Sequence, residues 1–188
     1  MMSCIRLFFI LCSVLTPALC CDWRHYRRYS NNSLTFIRLM GGPLTKEKSP
    51  VPFPEKLNKL IRNAEVETKL VFIRDNLKEI AHLYHHGNRS SVTWDTHTTT
   101  KFLTNIDRQI EELNTCVSTN KTADHRLRKY YKRLVTRILG HTGGSTSSWE
   151  LLRKETKLRL DHLDLLVAFI KDAASASRSR STPTQQQH

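Results

Sequence analysis

The sequence predicts an all-α protein, a bundle of about five helices with a long overhand first connection. Apolar residues recur at steps of three and four through most of the chain, which is the spacing of a buried helical face. Alternating apolar and polar patterns bounded by turn pairs, which are typical of strands, are absent from it. A proline-rich stretch separates the first helical segment from the second, and its length allows the chain to cross over the bundle.

The first twenty residues predict export. Arg6 precedes an apolar stretch, and the small-residue pattern Ala18-Leu19-Cys20 follows it. This is the arrangement of a secretory signal peptide, with a cut after the last of these residues. The alternative, a short buried core helix, lacks an amphipathic pattern. We therefore predict a signal peptide over residues 1–20, a helical domain over residues 21–172, and a secreted, extracellular protein.

Helical spacing defines the elements in order. The first segment, from Trp23 to Met40, is the least regular because polar residues interrupt its apolar side. One-sided faces of this kind must be buried against one another, which predicts a shared core. Four regular stripes follow the first segment: Val66 to Tyr84, Leu103 to Val117, Leu127 to Ile138, and Leu152 to Ile170.

Glycine and proline separate the predicted helices. Gly41-Gly42-Pro43 ends the first helix, and the three prolines of residues 50–54 deny the following connection helical hydrogen bonds. Gly87 is typical of a helix end. After the last stripe the composition turns to serine, arginine and glutamine, so residues 173–188 are predicted to form a disordered tail.

The cysteines and glycosylation motifs agree with secretion. Three of the five cysteines would leave with the signal peptide, and Cys21 and Cys116 would remain as an even pair. In an oxidising compartment such a pair predicts one disulfide. Three N-x-[ST] motifs make Asn31, Asn88 and Asn120 candidate glycosylation sites, the last two in predicted loops and the first within a predicted helix.

The charge is strongly cationic. Thirty lysines and arginines against 17 acidic residues leave a net charge of +13. Arg27-Arg28 and five basic residues between Arg126 and Arg133 are candidates to attract sulfated polysaccharide or nucleic acid. Tyr131 belongs to a buried stripe, so only Tyr130 is left to stack against a ligand. A secreted chain seldom meets nucleic acid, so we predict a glycosaminoglycan as a secondary partner and no nucleic acid.

Motifs for catalysis are missing. The sequence has no nucleophile elbow, phosphate-binding loop, dinucleotide fingerprint or zinc-protease motif. His82, His85 and His86 stand at a spacing that would let them meet one metal ion. Imidazoles at the carboxyl end of a helix also interact favourably with its dipole, and we prefer this simpler explanation. We predict that the protein is not an enzyme and holds no cofactor or metal.

Three motifs occur in a fixed order. The first is Trp94-Asp95 with Lys101-Phe102 and Cys116-Val117. The second is the segment RKYYKRL at residues 128–134, and the third is WELLRKE at residues 149–155. Together they resemble the third helix and the two carboxyl-terminal signatures of type I interferons. Mammalian members carry a second disulfide that this chain lacks, so the chain resembles the two-cysteine group of fish type I interferons.

The resemblance implies a helical-cytokine bundle and a secreted antiviral cytokine. Such a monomer bridges the two chains of a type I interferon (class II cytokine) receptor and triggers JAK-STAT signalling. One face uses the first helix, the long loop and the last helix; the other uses the second, third and fourth. The residues placed on the first face are Arg153, Lys154, Lys157 and Asp161, and those on the second are Arg128 and Lys129.

A second functional class remains open from the sequence. A cationic secreted host-defence protein that acts directly on microbial surfaces would share the net charge of +13. It would need an exposed amphipathic basic face, whereas the apolar stripes are predicted to be buried.

Overall fold

The computed structural model describes residues 21–118, 121–122, 124–140 and 144–180, with side chains described up to residue 173. The predicted signal peptide, Asn120 and residues 181–188 lie outside the described residues. None of the described helices is both long enough and apolar enough to cross a membrane.

Six helices and no strand make up the described part of the chain, which confirms the all-α prediction. The extra helix, α2, lies within the long first connection. It is short, and its buried residues Leu57 and Ile61 are one helical turn apart. In order, the helices are α1 (Trp23–Leu39), α2 (Glu55–Arg62), α3 (Val66–His86), α4 (Thr96–Asn114), α5 (His125–Ile138) and α6 (Thr146–Arg180).

One core lies between the helices. The first helix, α1, packs against α4 and α6, while α5 packs against α3 and α6. The predicted stripes face this core: all of their members are buried except Val66 and Ile110, which are half-buried. The free energy gained by burying these apolar faces together is the main force that holds the six helices in place.

Aspartates begin three of the helices. The Asp22 side chain accepts hydrogen bonds from the backbone N–H groups of Arg24 and His25, both at 3.0 Å. Asp95 and Asp124 begin α4 and α5 in the same way. Each supplies an acceptor to N–H groups that the helix leaves unpaired. A side-chain hydrogen bond from Arg126 lowers the pKa of Asp124 to about 2.

Two tryptophans of the sequence motifs meet at one end of the bundle. The Trp149 side chain is fully buried, and its Nε1 donates to the carbonyl of Asn88 at 2.7 Å. Its ring packs edge-on against Trp94 and Tyr84. Gly87 makes this approach possible, because a Cβ there would lie 2.4 Å from the Trp149 ring. The cluster fastens the α3–α4 connection to α6.

The last helix is longer than predicted. It runs to Arg180, eight residues beyond the predicted boundary at Asp172. Its last buried apolar residue is Ile170. Alanines follow at positions 173, 174 and 176, and alanine has the highest intrinsic helix propensity. The helix therefore continues past the point where it packs against the core.

Candidate functional site

A disulfide joins Cys21 and Cys116, as the even pair of cysteines predicted. The two Cα atoms lie 5.2 Å apart. The bond ties the residue before the start of α1 to the end of α4, along the pair of helices that pack most extensively. It therefore fixes the amino terminus of the domain against the middle of the chain.

The first helix, the connection of residues 40–54 and α6 contact one another, and we call their exposed side the first surface. Ser30 on α1 donates a hydrogen bond to Asp164 on α6 at 3.1 Å. The Lys154 ammonium on α6 donates to the carbonyl of Glu47 in the connection. Contacts at both positions hold the three elements in one arrangement.

Arg153 is not on this exterior, so the prediction that it faces outward is wrong. Its side chain is 0% exposed. Its Nη1 donates to the carbonyls of Ile37 and Arg38, both at 3.1 Å, and its Nη2 donates to the carbonyl of Gly42. The last carbonyls of a helix lack partners within it and carry the negative end of its dipole, which attracts a guanidinium. Arg153 thus caps the carboxyl end of α1.

Glu150 extends this network to a third helix. Its Oε2 accepts from Nε of Arg153 at 2.9 Å, and its Oε1 accepts from Nε1 of Trp94 at 2.6 Å. The backbone N–H of Asp95 also donates to the carbonyl of Met40 at 2.8 Å. These bonds attach the end of α1 and the start of the connection to α4 and α6. The network holds the connection although the described chain has no second disulfide.

The other predicted residues of α6 remain accessible. Lys154 is half-buried beneath the connection. Lys157 and Asp161 form an ion pair one helical turn apart, and their side chains are 21% and 32% exposed. Together these three residues form a charged row along α6 on the first surface.

Exposed apolar residues on α6 are a feature that the sequence reasoning missed. Leu165 and Phe169 are 57% and 55% exposed, and Leu158 is 37% exposed. The first two border a groove between α6, α2 and α3 that also contains His162. Burial lowers the pKa of His162. Leu158, Leu165 and Phe169 follow one another at steps of seven and four and do not belong to the buried stripe of α6. This spacing in the sequence could have indicated a second apolar row on the helix.

The second surface consists of α3, α4 and α5. Arg128 and Lys129 are both exposed on α5. The Arg128 guanidinium lies 4.0 Å from a carboxylate oxygen of Glu79 on α3. Burial raises the pKa of Glu79. The predicted residues of the two faces thus lie on different helices, α5 and α6.

Tyr130 was expected to be free to stack against a ligand, and this expectation is wrong. The residue is 2% exposed, and its ring centroid lies 4.8 Å from that of Phe53. Phe53 belongs to the long connection, far from α5 in the sequence. The periodicity of α5 alone could therefore not predict that Phe53 packs over the Tyr130 ring. Burial raises the pKa of Tyr130 to about 12.

Two of the three glycosylation candidates are described and exposed. Asn88 lies in the connection between α3 and α4, and Asn31 lies on α1. Ser33, the third residue of the Asn31 motif, is buried and accepts a hydrogen bond from Gln109 at 2.9 Å. The backbone carbonyl of Asn88 accepts the hydrogen bond from the Trp149 indole. The Asn88 side chain accepts one from the backbone N–H of Ser90 at 3.1 Å.

The three histidines of α3 make different contacts. The rings of His82 and His86 lie 4.6 Å apart, while Nε2 of His85 lies 3.5 Å from a carboxylate oxygen of Asp107. Within the described ranges, no three histidine, cysteine or acidic side chains are grouped so that they could hold a metal ion.

The comparisons with known proteins agree with the fold and the motifs. The family model of the interferon alpha/beta domain matches residues 24–168. Interferon a3 of Oncorhynchus mykiss is 41% identical over 168 residues, which are 88% of this chain and 94% of that protein. Zebrafish interferon 1, a solved structure, has a TM-score of 0.68 and 26% identity, covering 77% of this chain and 96% of that chain. The chain therefore belongs to the type I interferon family and is an interferon cytokine similar to those of fish.

Proposed function

We propose that this interferon is a secreted antiviral cytokine that bridges two chains of a class II cytokine receptor and triggers JAK-STAT signalling and antiviral gene induction. The observation that supports the proposal is that charged residues of two sequence motifs are accessible on different helices, Arg128 and Lys129 on α5 and Lys154 on α6. One molecule then suffices to bring the two receptor chains together, so the active species is a monomer.

The first surface has the composition of a binding site. Lys154, Lys157 and Asp161 supply charge along α6, and Leu165 and Phe169, at the edge of this surface that borders α2 and α3, add exposed apolar area. Interfaces commonly combine a few apolar anchors with a polar rim, and the anchors carry most of the binding energy. We assign this surface to one receptor chain.

The second surface is more purely electrostatic. Arg128 is 78% exposed, and Lys129 beside it is also exposed. Cations in such positions speed association with an acidic partner and contribute to specificity. We assign this surface to the other receptor chain.

Charge reversal on each surface tests the assignment. The variant Lys154→Glu with Lys157→Glu is expected to weaken binding to one receptor ectodomain by about tenfold or more, and Arg128→Glu with Lys129→Glu is expected to do the same for the other. The two variants change the net charge equally, so each is the control for the other. Surface-binding kinetics with each purified ectodomain provide the measurement, and circular dichroism checks the fold. Equal losses at both ectodomains from either variant would contradict separate assignments.

The alternative function is a cationic host-defence protein that acts directly on microbial surfaces. The two functions differ in their need for a receptor. We expect the protein to induce antiviral transcripts in cells that carry the receptor pair and to induce none in matched cells from which either chain has been deleted. Protection that persists in the deleted cells would favour the direct-acting protein.

A further inference from the structure

The outer side of α5 is a continuous basic face. The helix contains no acidic residue. Its basic residues spread over the exposed side, whereas its apolar residues Leu127, Tyr131 and Leu134 point into the core. The exposed members of this basic face are Arg128, Lys129, Lys132, Arg133 and Arg137.

Most of these charges are not neutralised by the protein itself. Arg126, at the start of the helix, is paired with Asp124, and Arg128 has Glu79 at 4.0 Å. For the remaining four members of the basic face, the described part of the chain places no carboxylate oxygen within 4.0 Å. Unpaired cations at this density give a strongly positive local potential.

The arrangement suits a linear polyanion. Lys129, Arg133 and Arg137 form a row at steps of four, and Arg128 and Lys132 form a second row beside it. From the first to the last of these residues the face extends about 14 Å along the helix axis. Successive anionic groups of one extended chain can therefore contact successive cations, so that several weak ionic contacts add up.

The chemistry of the face favours sulfate groups over nucleobases or lipid. Both tyrosines of α5 are buried, at 2% and 4% exposure, so neither is available for base stacking. The only large apolar residue exposed on α5 is Val135, at 36%. A helix that inserts into a membrane interface needs a broad apolar side, which this face lacks.

We propose that the basic face of α5 binds a sulfated polysaccharide of the cell surface or extracellular matrix through its sulfate groups. The inference rests on the proposed secretion, which brings the protein into contact with such chains. All five members of the basic face lie on α5 and therefore on the second surface, and two of them, Arg128 and Lys129, are the residues proposed to contact a receptor chain. The variants that test the inference leave these two residues unchanged.

Heparin is the probe, and salt elution from immobilised heparin together with binding affinity is the measurement. The variant Lys132→Gln, Arg133→Gln and Arg137→Gln is expected to elute at lower salt and to bind about tenfold more weakly. The control, Lys48→Gln, Lys56→Gln and Lys59→Gln, removes the same three charges from exposed positions in the first connection and α2. It is expected to bind nearly as the native chain does. Glutamine keeps a high helix propensity, so neither variant should unfold.

Three outcomes would overturn the inference. Equal weakening in both variants would show general charge attraction, and unchanged binding in the first variant would place the polysaccharide elsewhere. Tighter binding of a DNA oligonucleotide than of heparin of equal charge would identify a nucleic-acid surface instead. Binding of the same variant to each purified receptor ectodomain reports separately on the proposed receptor function, because α5 is also part of the second surface.

Discussion

Replacing Arg153 with alanine is expected to lower the free energy of unfolding by about 3 to 5 kcal/mol, as for other buried charged groups that lose one partner. The change removes the guanidinium from the carbonyls at the end of α1 and from Glu150. The carbonyls and the Glu150 carboxylate would lose their hydrogen-bond donor. Little water could take its place, because the Arg153 side chain is fully buried. Urea unfolding of the native chain and the variant gives the difference.

The neighbouring residue supplies the control for that experiment. Lys154 is half-buried and contacts the connection through one backbone carbonyl, so Lys154→Ala is expected to cost no more than about 1 kcal/mol. An Arg153→Ala variant as stable as the native chain, but with weakened affinity for one receptor ectodomain, would contradict the structural role. Arg153 would then act by direct contact, as the sequence alone suggested.

Replacing both Cys21 and Cys116 with serine is expected to destabilise the protein by about 4 to 5 kcal/mol, because the unfolded chain gains the entropy of an open loop. The bond spans a sequence separation of 95 residues, which is long enough for this contribution to be large. A small domain has a total free energy of unfolding of only about 5 to 15 kcal/mol, so the variant should keep little stability at about 37 °C.

The reduced native chain is the matched control for the serine variant. Both lack the bond, and they differ otherwise only in sulfur against oxygen at two positions. Urea unfolding should give similar midpoints for these two forms and a higher midpoint for the oxidised chain. A serine variant within 1 kcal/mol of the oxidised chain would show that the packing of α1 against α4 alone fixes the amino terminus.

The helices were predictable because apolar periodicity is a local property of the sequence. Steps of three and four located four of the six helices, the less regular segment from Trp23 to Met40 indicated a fifth, and the even pair of cysteines predicted the disulfide. Pro54 followed by Glu55 is typical of a helix start, and α2 begins there. It was not predicted as a separate element because eight residues with two buried side chains carry little periodic signal. Glycine or proline marked three of the five breaks between helices for the same local reason, and the breaks at residues 63–65 and 115–124 contain neither.

The errors at the site come from contacts between distant parts of the chain. Arg153 was placed on the first face by its position in the WELLRKE motif and by its spacing from the other charged residues of the last helix. Its partners Ile37 and Gly42 come from more than 100 residues earlier, and no local pattern indicates them. Tyr130 is covered by Phe53 in the same way. Gly42 and Phe53 belong to the first connection and Ile37 to the end of α1, and the path of these segments over the bundle is a property of the whole fold.

Simultaneous binding of both receptor chains tests most directly whether the bundle has two separate binding surfaces. One receptor ectodomain is fixed to a sensor, saturated with the interferon, and then exposed to the second ectodomain. We expect the second ectodomain to add to the bound mass in equal molar amount, because the two surfaces lie on different helices. A second ectodomain that binds the free interferon but displaces the first, or cannot bind the captured complex, would contradict the two-surface arrangement.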